Sequence, residues 1–301
     1  YVVYGDGGNS DKSTVMKYSS GSWTNVGTAG FSAAAAYYTS IAIDGSGTPY
    51  VAYMDVRNSS KATVMKYNGS SWVTVGTAGF SASMVDYTSI AIDGNGTPYV
   101  VYRDYANNNK ATVMAFTSGT WTTVGTAGFS AGDVLNTTID IDGNGIPYVA
   151  YKDLVNSSKA TVKKYDGSNW VTVGTEGFSD DLVSFPSLAI NSSGTPFVVF
   201  GDRGASDKAT VMKFDGTNWV TVGTAGFSAN DANYNGIAID GNGAIYVVYK
   251  DSGNSSKATV MKFYTAPTTS TATPTLTGWA LIILTVSAAG FGGWFVMKKM
   301  V

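Results

Sequence analysis

The chain repeats itself every 49 residues. Tyr1, Tyr50, Tyr99, Tyr148, Phe197 and Tyr246 share one position in successive rows of that length, and no gap is needed to align them. The result is five full modules and the first part of a sixth. A module of this size cannot bury its own apolar surface and must pack on its neighbours, so periods of roughly 20 to 50 residues denote solenoids, propellers or arrays.

Each module carries four runs of strand length. From Tyr50 they are Tyr50–Asp55, Ala62–Tyr67, Trp72–Gly76 and Ser89–Asp93, rich in Val, Ile, Tyr and Thr and separated by Gly, Asn and Ser. Four short strands per module is the composition of a propeller blade. Asp93-Gly94-Asn95-Gly96 and Asn68-Gly69-Ser70 supply residues that tolerate positive φ, and read as tight hairpin turns. Val56–Lys61 and Thr77–Thr88 are longer, and the second leaves one blade for the next.

With Ser89–Asp93 innermost, Tyr99–Asp104, Ala111–Phe116 and Trp121–Gly125 follow outward, and Thr126–Thr137 crosses to the next blade. Both longer connections then lie on one face and both tight turns on the other. An open solenoid is the alternative, but it needs polar capping modules and neither end shows one.

The last module supplies Gly236–Asp240, Tyr246–Asp251 and Ala258–Phe263, then gives way to Thr265-Ala266-Pro267 where a Trp-containing outer strand belongs. That outer strand is expected upstream of Tyr1, giving six blades, or from Trp23–Gly27, giving five. In the chain as it stands the edge near Ala258–Phe263 is expected to lack a partner. The chain begins inside a repeat, so a further Trp-containing strand and an export signal are expected before Tyr1.

Composition removes whole classes of chemistry. The chain has no cysteine and no histidine, which excludes disulfides, thiolate sites, Ser-His and Cys-His nucleophiles and the usual zinc ligand. Charged residues make up 13% of the chain, Glu176 is the only glutamate, and the net charge is -2. Arg57, Arg103 and Arg203 form no run, so nothing recommends a nucleic acid partner.

The modules resemble the sequence-repetitive propellers of exported bacterial proteins. They lack the Trp-Asp dipeptide, the Ser-x-Asp-x-Gly-x-Thr-Trp box and periodic double glycines of other propeller families, so the resemblance implies a fold and not an activity.

Residues 1–264 are read as the propeller, 265–274 as a Thr/Pro-rich linker and 275–301 as a C-terminal tail. Trp279 to Met297 is uncharged over 19 residues and ends at Lys298-Lys299, which suits a membrane-spanning helix with the propeller outside. Thr273-Pro274-Thr275-Leu276-Thr277-Gly278-Trp279-Ala280 resembles the IPTL-CTERM sorting signals of Gram-negative bacteria. Pro274, Thr275, Leu276 and Trp279 match that pattern in spacing, while Thr273 and Ala280 depart from it. The resemblance implies processing by an exosortase-type membrane enzyme, and a protein anchored before processing and displayed at or released from the cell surface.

Several repeated positions could be sites or scaffold. Asp6, Asp55, Asp104, Asp153, Asp202 and Asp251 recur six residues before Lys12, Lys61, Lys110, Lys159, Lys208 and Lys257. A feature of every blade is expected to order its turn, not to form a calcium ring. Asp44, Asp93, Asp142 and Asp240 open Asp-Gly-(Ser/Asn)-Gly turns, with Asn191 in the fourth such place, too poor in alternating oxygens for a calcium loop. Trp23, Trp72, Trp121, Trp170 and Trp219 could stack on sugars but are expected to pack between blades.

The positions that vary on this scaffold are Gly5, Met54, Arg103, Lys152, Gly201 and Lys250, with the crossing segments Ala33–Tyr38, Ala82–Tyr87, Ala131–Asn136, Asp180–Phe185 and Ala229–Tyr234. The candidate ligand-binding residues on this longer-loop face are Met54, Arg103, Lys152, Lys250, Asp133, Asp180 and Asp181. The expected function is non-enzymatic binding or adhesion to glycan or to a surface protein, without cofactor or metal. A carboxylate-dependent glycoside-active enzyme is the alternative, and would need Asp133 and Asp180-Asp181 to converge in a deep pocket. A purely structural surface repeat is the third reading.

Overall fold

The computed structural model describes residues 1–264 and the backbone of 278–282. The chain forms a six-bladed β-propeller. Five sheets have four antiparallel strands in order from inside to outside. The second is Ala36–Ile43, Pro49–Asp55, Lys61–Tyr67 and Trp72–Thr74; the third is Val85–Ile92, Pro98–Asp104, Lys110–Thr117 and Thr120–Thr123. The fourth runs from Val134–Ile141 to Trp170–Thr172 and the fifth from Val183–Ile190 to Trp219–Thr221. The first sheet has three described strands, Val2–Asp6, Lys12–Ser19 and Ser22–Asn25.

Three expectations change. The inner strand begins at Val85 and not at Ser89, because a bulge interrupts its register between Asp86 and Ser89. Tyr87, at the bulge, has φ 52°, and Tyr38, Asn136, Phe185 and Tyr234 repeat that left-handed backbone. A bulge breaks the two-residue alternation on which a strand is recognised. The ends of the crossing segments therefore belong to the sheet, where Ala36, Val85, Val134, Val183 and Ala232 are buried.

The strand from Trp23 pairs with Lys12–Ser19 in its own sheet, which rules out the five-blade closure. The edge at Ala258–Phe263 is also covered, since Gly278–Ile282 lies antiparallel to Lys257–Tyr264 as the outer strand of the sixth sheet. The rest of the expected linker and tail, 265–277 and 283–301, lies outside the described residues. Among the described residues no helix is long and apolar enough to cross a membrane.

The core lies between sheets. Val3, Val15, Ile41, Val51 and Tyr53 form one buried cluster where the first and second sheets meet, and equivalent clusters follow at each boundary up to that between the fifth and sixth. Outer-strand tryptophans lock the boundaries. Trp72, Trp121, Trp170 and Trp219 donate their indole N–H to Val26, Val75, Val124 and Val173 of the preceding blade at 2.8 to 2.9 Å. Each ring stacks on a Phe of the crossing segment, Phe31, Phe80, Phe129 or Phe178, at 4.1 to 4.3 Å. Gly76 stands at φ 71° against this joint, where a Cβ would come within 2.6 Å of the Phe116 ring. These four tryptophans are therefore inter-blade latches, as their position predicts, whereas Trp23 tilts against Tyr18 of its own sheet at 5.3 Å.

Candidate functional site

On the longer-loop face, the repeated Asp orders its own turn. Asp55 caps a short 3-10 turn: its Oδ1 accepts from Arg57 N–H at 3.1 Å, and its Oδ2 accepts from Asn58 Nδ2 at 2.7 Å and Thr63 Oγ1 at 2.9 Å. Thr63 Oγ1 in turn accepts from Gly79 N–H of the crossing segment at 2.9 Å. Asp6, Asp104, Asp153, Asp202 and Asp251 make the same bond to a Thr eight residues on. Burial would raise the Asp6 carboxyl, but bonds from Asn9, Thr14 and Gly8 outweigh it and hold the group below its ordinary range. Asp and Lys stand opposite in register, yet no ion pair joins them among the described residues.

Asp44 accepts from Ser46 N–H and Thr48 N–H at 2.9 Å, and Asp93, Asp142, Asn191 and Asp240 order their turns likewise. No group of three or more acidic side chains gathers among the described residues as a cation site would require.

The candidate residues separate into different environments. Arg103 and Asp133 meet directly: Nε lies 2.8 Å from Oδ1 and Nη2 2.9 Å from Oδ2. Arg103 Nη1 also donates to Asp86 at 3.2 Å and to the Tyr105 hydroxyl at 3.0 Å, while Tyr105 donates to Asp86 at 2.7 Å. The bond to Asp133 is the main reason the guanidinium is held even more firmly protonated than usual. Met54 is half-buried against the core between the second and third blades. Burial lowers the Lys152 amine, and Lys250 lies 5.9 Å above the Tyr234 ring. Asp180 and Asp181 are exposed on the next crossing segment, where Asp181 Oδ1 accepts from Leu182 N–H at 2.7 Å.

Two concavities stand out. The axial one, of about 80 Å³, is lined at the bulges by Tyr38, Tyr87, Asn136, Phe185 and Tyr234, and no carboxylate lines it. Tyr38 and Tyr87 tilt together at 4.8 Å, as do Phe185 and Tyr234 at 4.4 Å. Burial first, then Asp86, Tyr87 and Tyr105, push the Tyr38 hydroxyl up to about 12. The volume admits a few water-sized groups and not a sugar ring.

The second is a polar groove of about 790 Å³ between the first and second blades, on the tight-turn face. Lys17, Thr24 and Asn25 line one wall, and Asp44, Ser46 and Lys66 the other. Lys17 lies 5.2 Å from the Tyr1 ring and Lys66 5.7 Å from the Tyr50 ring, so both ammoniums are held over aromatic faces. The groove is of small-ligand size, which is roughly 300 to 1,000 Å³. Reasoning from the variable loops missed it, because its residues lie at strand ends that read as scaffold. The Lys that stands 16 residues after Tyr1 and Tyr50 recurs as Lys164, Lys213 and Lys262, so the repeat gave no signal that singles out this boundary.

No family model matches the chain, and no curated protein matches it. Solved structures do. A mutant of the Aleuria aurantia lectin in complex with α-methyl-L-fucoside superimposes with a TM-score of 0.64 at 15% identity, over 93% of this chain and 88% of that one. The SapL1 lectin in complex with α-methyl fucoside gives 0.60 at 18% identity, over 90% and 88%. A Hadza microbial sialidase gives 0.53 at 10% identity, over 75% of this chain and 56% of that one. These likenesses show the propeller fold, and the Aleuria aurantia lectin is itself described as six-bladed.

Proposed function

We propose that this chain is a non-enzymatic, glycan-binding surface module that takes its ligand in the groove between the first and second blades. The observation that carries this reading is the composition of that groove: hydroxyl, amide, ammonium and carboxylate groups converge from two rigid blades around a ligand-sized volume. Vicinal sugar hydroxyls are bound by such mixed donors and acceptors. The near-complete superposition on lectins solved with fucosides supports the same reading and makes fucosylated glycans the first to try. The carboxylates that an enzyme would need are employed otherwise, with Asp133 chelated by Arg103 and Asp181 bonded to its own backbone neighbour.

The proposal extends to export. The tail pattern around Pro274, Thr275, Leu276 and Trp279 supports display on or release from the surface of a Gram-negative cell after exosortase-type processing. A glycan array read with the wild-type chain and with K66A tests the binding part. Fucosylated or other glycans should bind to the wild type and lose at least tenfold in signal with K66A. An empty array, or binders indifferent to K66A and to N25A, would overturn the groove as the site.

A further inference from the structure

The outer strand of the sixth sheet comes from the tail, yet its register is that of every complete blade. Phe263 stands opposite Trp279, as Phe214 stands opposite Trp219, Tyr165 opposite Trp170, Phe116 opposite Trp121 and Tyr67 opposite Trp72. Three residues on, Ile282 faces Val260. The equivalent Val75 and Val222 are buried and donate their N–H to Val64 and Val211.

The sequence carries the same marks. Trp72-Val73-Thr74-Val75 and Trp121-Thr122-Thr123-Val124 read Trp-x-x-Val, and Trp279-Ala280-Leu281-Ile282 reads Trp-x-x-Ile. Only the loop differs: five positions separate Tyr67 from Trp72, whereas sixteen separate Phe263 from Trp279. Closure entropy grows only with the logarithm of loop length, so the longer connection still permits docking.

We propose that Gly278–Ile282 is a two-state element, the outer strand of the sixth blade in water and the start of a membrane span in a bilayer. The two states exclude each other by length. The 19 uncharged residues from Trp279 reach about 28 Å as a helix, close to the roughly 30 Å hydrocarbon core. With Trp279–Ile282 held in the sheet, the remaining 15 reach about 22 Å and fall short. Docking therefore withdraws the tail from the bilayer, and insertion uncovers the edge of Lys257–Tyr264. If Trp279 also belongs to a sorting signal, docking engages its backbone in the sheet. None of this depends on what the groove binds.

The absence of cysteine makes the test clean. Lys262 and Ala280 are opposite in register, and so are Met261 and Leu281. In the full chain synthesised without lipid, K262C/A280C and M261C/L281C should each form an intrachain disulfide under mild oxidation. K262C/I282C, two residues out of register, should oxidise at least tenfold more slowly. Adding phosphatidylcholine/phosphatidylglycerol vesicles before oxidation should reduce the in-register disulfides at least fivefold. Failure of both in-register pairs, or equal oxidation of the offset pair, would overturn the docked strand. In-register disulfides that form equally with vesicles present would overturn the exclusion.

Discussion

The Arg103 guanidinium grips both oxygens of Asp133 across the boundary between the third and fourth blades, at 2.8 and 2.9 Å. The two residues are 30 positions apart. The same offset leads from Met54 to Met84 and from Lys152 to Leu182, so the charge pair belongs to this one module pair. Parallel two-point contact makes this one of the stronger forms of ion pair, and the Arg103 side chain is only 13% exposed.

Asp133→Asn should therefore cost about 1 to 2 kcal/mol, since Asp86 still compensates part of the buried charge. Arg103→Met should cost a similar amount and leave two acids facing each other. The midpoint of urea unfolding reads both, and a shift no larger than that of a surface control such as Arg57→Ala would refute the assignment.

A second ion pair takes the place of a tyrosine–methionine hydrogen bond. Tyr4, Tyr53 and Tyr249 donate their hydroxyls to Met16, Met65 and Met261 at 3.3 to 3.5 Å. In the fourth blade Lys163 stands where those methionines stand, and it bonds Glu176 at 2.7 Å, while the buried Tyr151 hydroxyl has no partner. The one glutamate of the chain is thus explained by the one lysine at a methionine position. Glu176→Ala should cost about 2 kcal/mol by leaving a buried ammonium uncompensated, and K163M/E176A should recover it or exceed wild type. The Lys163 bond holds the Glu176 carboxyl below its ordinary value of 4.5. Stability from that depressed value is present above pH about 4.5 and is lost as pH falls through the folded pKa. In the double variant, acid unfolding should be correspondingly less steep.

The latches separate packing from hydrogen bonding. Trp121→Ala removes a stacked ring and should cost about 3 to 5 kcal/mol. Trp121→Phe keeps an aromatic against Phe80 and loses the bond to Val75, and should cost about 1 to 2 kcal/mol. Equal losses in the two variants, measured by thermal unfolding, would place the energy elsewhere.

Much of this was legible in the sequence because what recurs at a fixed position is blade geometry. The Asp of each turn and the Trp of each outer strand could be assigned from their place after a strand or a tight turn alone. The start of the inner strand could not, since Tyr87 takes a left-handed backbone and breaks the alternation just where the strand begins. Arg103 and Asp133 each stood out as departures, but their pairing needs the distance between neighbouring blades. The groove was hidden because Lys17 and Lys66 read as solvated strand ends until two blades are set side by side. Gly278–Ile282 escaped because it keeps the register of a blade while abandoning the period.

Alkaline titration provides the last prediction. Burial first, and then a carboxylate two residues away, raises the hydroxyls of Tyr53, Tyr102 and Tyr151 beyond the usual phenol range, and Tyr249 is pushed up to about 12. In the unfolded chain all of them ionise near their ordinary value of 10. Between pH 10 and the folded values the native state holds protons that the unfolded state has released, so stability is full below about pH 10 and falls as pH rises. Each fully buried phenol contributes a slope of about 1.4 kcal/mol per pH unit. Absorbance at 295 nm should show the exposed tyrosines titrating near pH 10 and a delayed group ionising only with loss of the near-ultraviolet circular dichroism. Tyr102→Phe should move that second step to higher pH. Tyr151→Phe removes a hydroxyl without a partner, and should do the same while leaving stability at pH 7 unchanged or higher. A single ionisation step near pH 10 in the folded protein would overturn the argument.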